Sequence, residues 1–203
     1  MLFEPEEKYD SKGRVPNISK EIIEKLEKAY KKKFQSKDLS PEHILHYCYA
    51  VLYSNTYREK YAEFLKIDFP RIPFTSDYKL FVELASLGEE LTELHLLKHK
   101  VLNKPVAKYK GKGNDSIEKP RYDEEKQIVF INDKNYFEGI APEVWNYHIG
   151  GYQVMEKYLK DRKSRVMEDS AHYCKMATAL LETIRIQKLI DNVFKNIEEN
   201  IIS

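Results

Sequence analysis

The chain has 203 residues, with 34 lysines and arginines against 33 aspartates and glutamates and a net charge of +1 at pH 7. Its length supplies a core without disulfide or metal. With 42% hydrophobic and 33% charged residues, seven glycines and eight prolines, it is neither disordered nor fibrous.

Residues 1–17 mix Glu, Lys, Gly and Pro without period and predict an extended lead-in, followed by one domain over 18–203. A first helix is expected over 19–34, with Ser19 as N-cap, Ile22, Ile23, Leu26, Ala29 and Tyr30 on one face, and Lys31 to Lys33 at its C-terminus. The next, over 41–66, has Ser40 as N-cap and Pro41 in its first turn, and should break near Ser54-Asn55. "IDFPRIPFTSD" carries two prolines and reads as extended. A helix over 77–100 follows, with Leu80, Phe81, Leu84, Leu87, Leu91 and Leu94 along one stripe.

Between 105 and 138 the period changes. Short β-prone runs at Val106 to Lys110, Gln127 to Ile131 and Asn135 to Phe137, split by "GKGND" and "YDEEK", predict a small antiparallel sheet with "KYKGKGND" as a hairpin. Helices are expected again over 142–148, 151–163 and 168–200, with Gly150 and Gly151 leading sharply into the second of these and Tyr152, Met155, Tyr158 and Leu159 packing inward. The class is therefore α+β, mostly α-helical: a helical bundle with a small inserted antiparallel β-sheet.

No apolar run approaches the roughly 20 residues of a membrane span. The start "MLFEPEEKYD" is acidic where a signal peptide would be basic, so a cytoplasmic chain with no membrane partner is expected. Cys48 and Cys174 sit in apolar-periodic contexts and read as buried thiols. "GKGND" lacks the later Gly-Lys-Ser/Thr of a phosphate-binding loop, and there is no Gly-x-Ser-x-Gly, Cys-x-x-Cys or His-Glu-x-x-His. His95 with His99, and His43 with His46, lack a third ligand nearby. No catalytic or metal residue is assigned.

Two basic segments remain. "KYKGKGND" gathers Lys108, Lys110, Lys112 and Asn114, equipment for phosphates and base edges, or simply a lysine-solubilised loop tip. "KDRKSR" gathers Lys160, Arg162, Lys163 and Arg165, either a charged helix end or a phosphate clamp.

Three blocks, "YCYAVLYSNTYREKYAEFLKIDFPRIPFTSD", "FEGIAPEVWNYHIGGYQVMEKYLKDRK" and "HYCKMATALLETIRIQKLID", resemble the C-terminal DNA target-recognition (specificity) domain of type ISP and type IIG-like restriction-modification enzymes and related N6-adenine DNA methyltransferases. The resemblance spans nearly the whole chain. In that family an adjoining methyltransferase region carries an Asn/Asp-Pro-Pro-Tyr/Phe motif and a glycine-containing cofactor motif, and neither is present here. It implies a non-catalytic domain that recognises duplex DNA, while S-adenosylmethionine belongs to a methyltransferase region in cis or in a separate subunit, with the target adenine flipped out. Lys108, Lys110, Lys112 and Asn114 are then candidates for groove contact, Lys160, Arg162, Lys163 and Arg165 for phosphate, and Arg71 for a structural ion pair. The alternative is a helical module that docks a partner protein through its tyrosine-rich helices; the chain has 15 tyrosines.

Overall fold

The computed structural model describes Phe3–Glu4 and residues 15–202. Most of the lead-in expected over 1–17 lies outside the described residues; Phe3–Glu4 (β1) and Val15–Pro16 (β2) pair antiparallel. The chain divides into two compact units, one of residues 1–92 and 186–203, the other of residues 93–185. The class is α+β, as expected.

The first unit is built on helices whose starts are written in the sequence. Lys20–Tyr30 (α1) begins where the Ser19 side chain accepts the Ile22 N–H at 3.3 Å, and it ends at Lys31, which takes the left-handed conformation (φ 53°). Pro41–Tyr53 (α2) has a reciprocal cap: Ser40 Oγ accepts the His43 N–H, and His43 Nδ1 accepts the Ser40 N–H. The helix expected over 41–66 breaks at Ser54, which closes α2 and caps Asn55–Lys60 (α3) by accepting the Tyr57 N–H. Only a short 3₁₀ turn, Phe64–Lys66, follows. Asp191 fixes the break, accepting from Ser54 Oγ at 2.7 Å, the Thr56 N–H at 3.1 Å and Asn55 Nδ2 at 3.2 Å.

The proline-punctuated stretch around 70–75 cannot satisfy its own backbone. Buried tyrosines do so instead. Tyr57 donates to the Arg71 carbonyl, Tyr47 to that of Pro73 and Tyr30 to that of Thr75, at 2.9, 2.7 and 2.7 Å. Burial pushes the hydroxyls of Tyr30 and Tyr47 well above the ordinary tyrosine range, so they remain donors. Three of the chain's 15 tyrosines thereby serve as internal scaffolding.

Tyr78–His95 (α4) and Ser170–Ile197 (α7) each contribute residues to both units. In the second unit a 3₁₀ turn, Lys100–Asn103, leads to four strands: Lys108–Lys110 (β3), Arg121–Asp123 (β4), Ile128–Phe130 (β5) and Tyr136–Glu138 (β6). Then come Pro142–Trp145 (α5), His148–Ile149 (β7), Tyr152–Gln153 (β8) and Val154–Lys160 (α6). Its core gathers Val129, Ile131 and Phe137 from the sheet with Val144, Met155, Leu159, Tyr173 and Ala177 from the helices.

Two local expectations are corrected. The sheet order is β3-β6-β5-β4, all antiparallel, so "KYKGKGND" is not a hairpin. Its strand pairs with β6, and residues 111–120 cross from one edge of the sheet to the other; the fourth strand, β4, was missed because it is short and opens the "YDEEK" turn. Gly150 and Gly151, with φ of 55° and 84°, do not lead into a helix. They form the two-residue turn of the β7–β8 hairpin, whose positive φ at both positions only glycine adopts freely. Tyr152 beside them is 62% exposed rather than packed inward, whereas Met155 and Leu159 are fully buried.

Gly88 marks a close approach of two helices in the first unit. A Cβ there would lie 1.9 Å from the His46 carbonyl oxygen of α2. Gly88→Ala must therefore push α2 from α4, with an expected loss of about 1–3 kcal/mol or more, read as a lower midpoint in urea unfolding.

Candidate nucleic-acid interface

The site forms where the crossover 111–120 meets the chain leaving α6. That crossover passes over one end of the sheet, and its backbone needs partners. Two asparagines from the β5–β6 turn provide them. Asn135, 1% exposed, accepts the Gly113 N–H on Oδ1 at 2.8 Å. Its Nδ2 donates to the Asn114 carbonyl, to Asp115 Oδ1 and to the Tyr109 hydroxyl at 3.0, 2.7 and 3.0 Å. Asn132 Nδ2 donates to the carbonyls of Asn114 and Ser116, at 2.9 and 2.8 Å. The Asn132 Oδ1 accepts the N–H groups of Lys134 and Asn135 and so shapes the turn itself.

Tyr109 completes the cluster by donating to Asp115 at 2.6 Å. Burial first, and then this bond to a carboxylate, push its hydroxyl up to about 12, which keeps the donor protonated. The Asp115 carboxylate is thus turned toward Tyr109 and Asn135.

On its other side the crossover pairs with the segment after α6. The Ile117 N–H donates to the Arg165 carbonyl at 2.9 Å, the Ser164 N–H to that of Ile117 at 2.8 Å, and the Met167 N–H to that of Asp115 at 2.7 Å, with Ser116 opposite Val166. Ile117, fully buried, pins the pairing to the core. Ser164 takes a left-handed conformation (φ 65°) to make the bend. The ends of the two basic segments, some fifty positions apart in sequence, are thereby joined.

The structure sorts the eight sequence-selected residues. Lys108 and Lys110 lie on an edge strand, Lys110 with Glu138 at 3.6 Å. Lys112 and Asn114 are exposed on the crossover, where Asn114 Oδ1 accepts the Ser116 N–H at 3.3 Å. Lys160 is paired with Glu156 at 2.8 Å, one helical turn back. Arg162 folds onto Tyr158, 3.7 Å from the ring centroid and donating to the Tyr158 carbonyl at 3.2 Å. Lys163 and Arg165 are exposed, and among the described residues their side chains have no ion-pair partner.

Arg71, expected as a structural ion-pair partner, lies 3.7 Å from Asp68 and over the Phe64 ring. Among the described residues no cluster of three His, Cys, Asp or Glu side chains could hold a metal. His95 shares a 2.9 Å hydrogen bond with Thr183. Cys174 is buried; Cys48 is half-buried, with its thiol pushed up to about 11 by burial. Sequence reasoning missed Asn132 and Asn135, although "NDKN" is the Asx-turn signal that could have found them.

A family model described as the Type ISP C-terminal specificity domain matches residues 1–189. Three solved structures share the fold. A DrdV–DNA complex superposes with a TM-score of 0.65 at 24% identity, covering 92% of this chain and 21% of that one. The ATP-dependent Type ISP restriction-modification enzyme LlaBIII bound to DNA gives 0.61 at 19%, covering 94% and 13%. A nuclease-deletion mutant of the Type ISP restriction-modification enzyme LlaGI, in complex with a DNA substrate mimic, gives 0.57 at 18%, covering 94% and 17%. This chain thus spans about a fifth or less of the chains it matches. Comparison with curated proteins finds no match.

Asn135→Ala would leave the Gly113 N–H without its acceptor, while the Asn114 carbonyl keeps Asn132 Nδ2. The expected cost is about 1–3 kcal/mol, with faster amide exchange at Gly113 than in the wild type. Unchanged exchange there would show that the loop is held by other means.

Proposed function

This chain belongs to the family of Type ISP C-terminal specificity domains, and from that premise we propose that it recognises a target in duplex DNA through the joined edge of residues 112–118 and 163–166. The observation that carries the reading is the backbone pairing of residues 115–117 with 164–167. It joins the crossover that carries Lys112 and Asn114 to the segment that carries Lys163 and Arg165, whose side chains have no ion-pair partner among the described residues. Phosphate contacts hold a protein in register, and amide and cationic side chains read base edges in the major groove. In this reading Lys163 and Arg165 take phosphates while Lys112 and Asn114 face the bases. Lys160 and Arg162 contribute less, one neutralised by Glu156 and the other lying on Tyr158. The DNA-bound DrdV, LlaGI and LlaBIII structures support it at the level of fold.

The finer reading is that the domain supplies specificity to an N6-adenine DNA methyltransferase region, in the same or another chain, where S-adenosylmethionine is bound and methyl transfer occurs. This chain would hold no catalytic centre of its own. The partner-docking alternative finds less support, since Tyr30, Tyr47 and Tyr57 are buried and spend their hydroxyls on backbone carbonyls.

Duplex affinity should fall steeply with salt. Neutralising Lys163 and Arg165 together should weaken all sequences alike and lower the log–log slope by about 2, at roughly 0.9 for each lost phosphate contact. Lys160→Gln should change it by less. Lys112→Gln and Asn114→Ala should instead relax discrimination by about 1–3 kcal/mol at the base they read. Binding indifferent to salt and to these changes refutes the interface; methyl transfer by the isolated chain refutes the non-catalytic reading.

A further inference from the structure

The four-stranded sheet carries a second surface that lies outside the proposed duplex edge. Register aligns Tyr109, Phe137, Val129 and Tyr122 in one cross-strand row, and that row packs into the core of its unit. Side chains alternate along strands. The adjacent row, Lys110, Tyr136, Phe130 and Arg121, therefore points to the opposite face, and none of its members packs against that core.

This row has a particular chemistry. Two aromatic rings occupy the central strands, their centroids 5.6 Å apart. A cation stands on each edge strand. The Arg121 guanidinium lies 3.7 Å from the Phe130 centroid, so Phe130 supports it from beneath and Arg121 offers the outer surface. Tyr136 is half-buried, and among the described residues its hydroxyl has no hydrogen-bond partner. Among the described residues Lys110 has only the 3.6 Å pair with Glu138. The row spans three inter-strand gaps, roughly 14 Å from edge to edge.

A ring and a guanidinium plane in the middle, the guanidinium carrying its charge there and Lys110, paired with Glu138 at 3.6 Å, standing at one margin, complement a ligand that has flat π-faces on an anionic chain. Nucleotides are such a ligand, and aromatic and arginine planes are the surfaces on which unstacked bases rest. Paired bases in a duplex bury their faces against one another, so the fitting form is an unpaired strand. A protein partner suits the row poorly, since its apolar part is two half-buried rings where a stable interface needs about 800 Å² per side.

We propose that the Lys110–Tyr136–Phe130–Arg121 row is a stacking site for unpaired bases of a DNA strand, with Tyr136 and Arg121 receiving base faces and Lys110 and Arg121 drawing the flanking phosphates. The row is the one nearest the crossover: Gly111 follows Lys110, and Asn135 precedes Tyr136. The single-strand site therefore borders the proposed duplex edge without depending on it.

The test measures fluorescence anisotropy of a labelled oligodeoxythymidine and, in parallel, of a labelled duplex, with the whole chain and its variants. Tyr136→Ala should weaken the single strand about tenfold, Tyr136→Phe should retain most of the affinity, and neither should shift duplex binding. Arg121→Gln should weaken the single strand and lower its salt slope by roughly 0.7. In a Tyr136→Trp, Trp145→Phe variant, emission should be quenched on adding the oligonucleotide. Three results overturn the proposal: no single-strand binding, equal affinity in wild type and Tyr136→Ala with matching circular dichroism, or a purified protein partner that Tyr136→Ala releases while oligonucleotide affinity stays constant. Failure of the duplex reading would appear separately, as duplex affinity insensitive to Lys163 and Arg165.

Discussion

The buried amide of Asn135 is the contact on which the second unit's proposed DNA-binding edge depends. Sheet order β3-β6-β5-β4 obliges the chain to travel from one edge to the other between Lys110 and Arg121, and a segment that runs over the end of a sheet covers its own backbone groups. Covered groups must be bonded. Asn135 and Asn132 do this from the tight β5–β6 turn, so the crossover takes its shape from that turn. A stretch rich in glycine and lysine, which alone would wander, is fixed to a frame, and less ordering entropy is then lost when it meets a ligand.

Where structure is set by neighbours in sequence, it was legible. Ser19, Ser40 with Pro41, and the break at Ser54-Asn55 are local capping signals, and the elements begin and stop at them. What was not legible is set by pairing at a distance. Nothing in "KYKGKGND" says that its strand joins β6 rather than the next strand along, because strand order is chosen by the whole sheet. Asp191 as a fastening for the α2–α3 break belongs to the same class, being 137 residues from Ser54. Gly150-Gly151 was ambiguous for a different reason: paired glycines permit both a helix lead-in and a hairpin turn, and the two-residue strands beside them leave almost no periodic trace.

The tyrosines show what composition leaves open and contacts decide. Fifteen such residues suit core packing or a wet, adhesive surface. Three of them are the hydrogen-bond donors that a proline-interrupted extended segment lacks, and each ring fills core volume at the same time. A Phe could fill the volume but not satisfy the carbonyl.

The cation run Lys157 to Arg165 shows the same dependence of chemistry on geometry. Inside α6, and at its cap, helical spacing sets each lysine one turn from a carboxylate: Lys157 reaches Asp161, and Lys160 reaches Glu156. Once the helix ends, that spacing is lost. Arg162 still reaches back to the Tyr158 ring, but beyond it the left-handed turn at Ser164 carries the chain away to pair with Ile117. Lys163 and Arg165 therefore leave the region in which the helix supplies partners and arrive where the chain meets the crossover, Arg165 opposite Ile117. A protein of nearly zero net charge can in this way present uncompensated cations at one edge, because the boundary of a helix, rather than the number of lysines, decides which charges are neutralised.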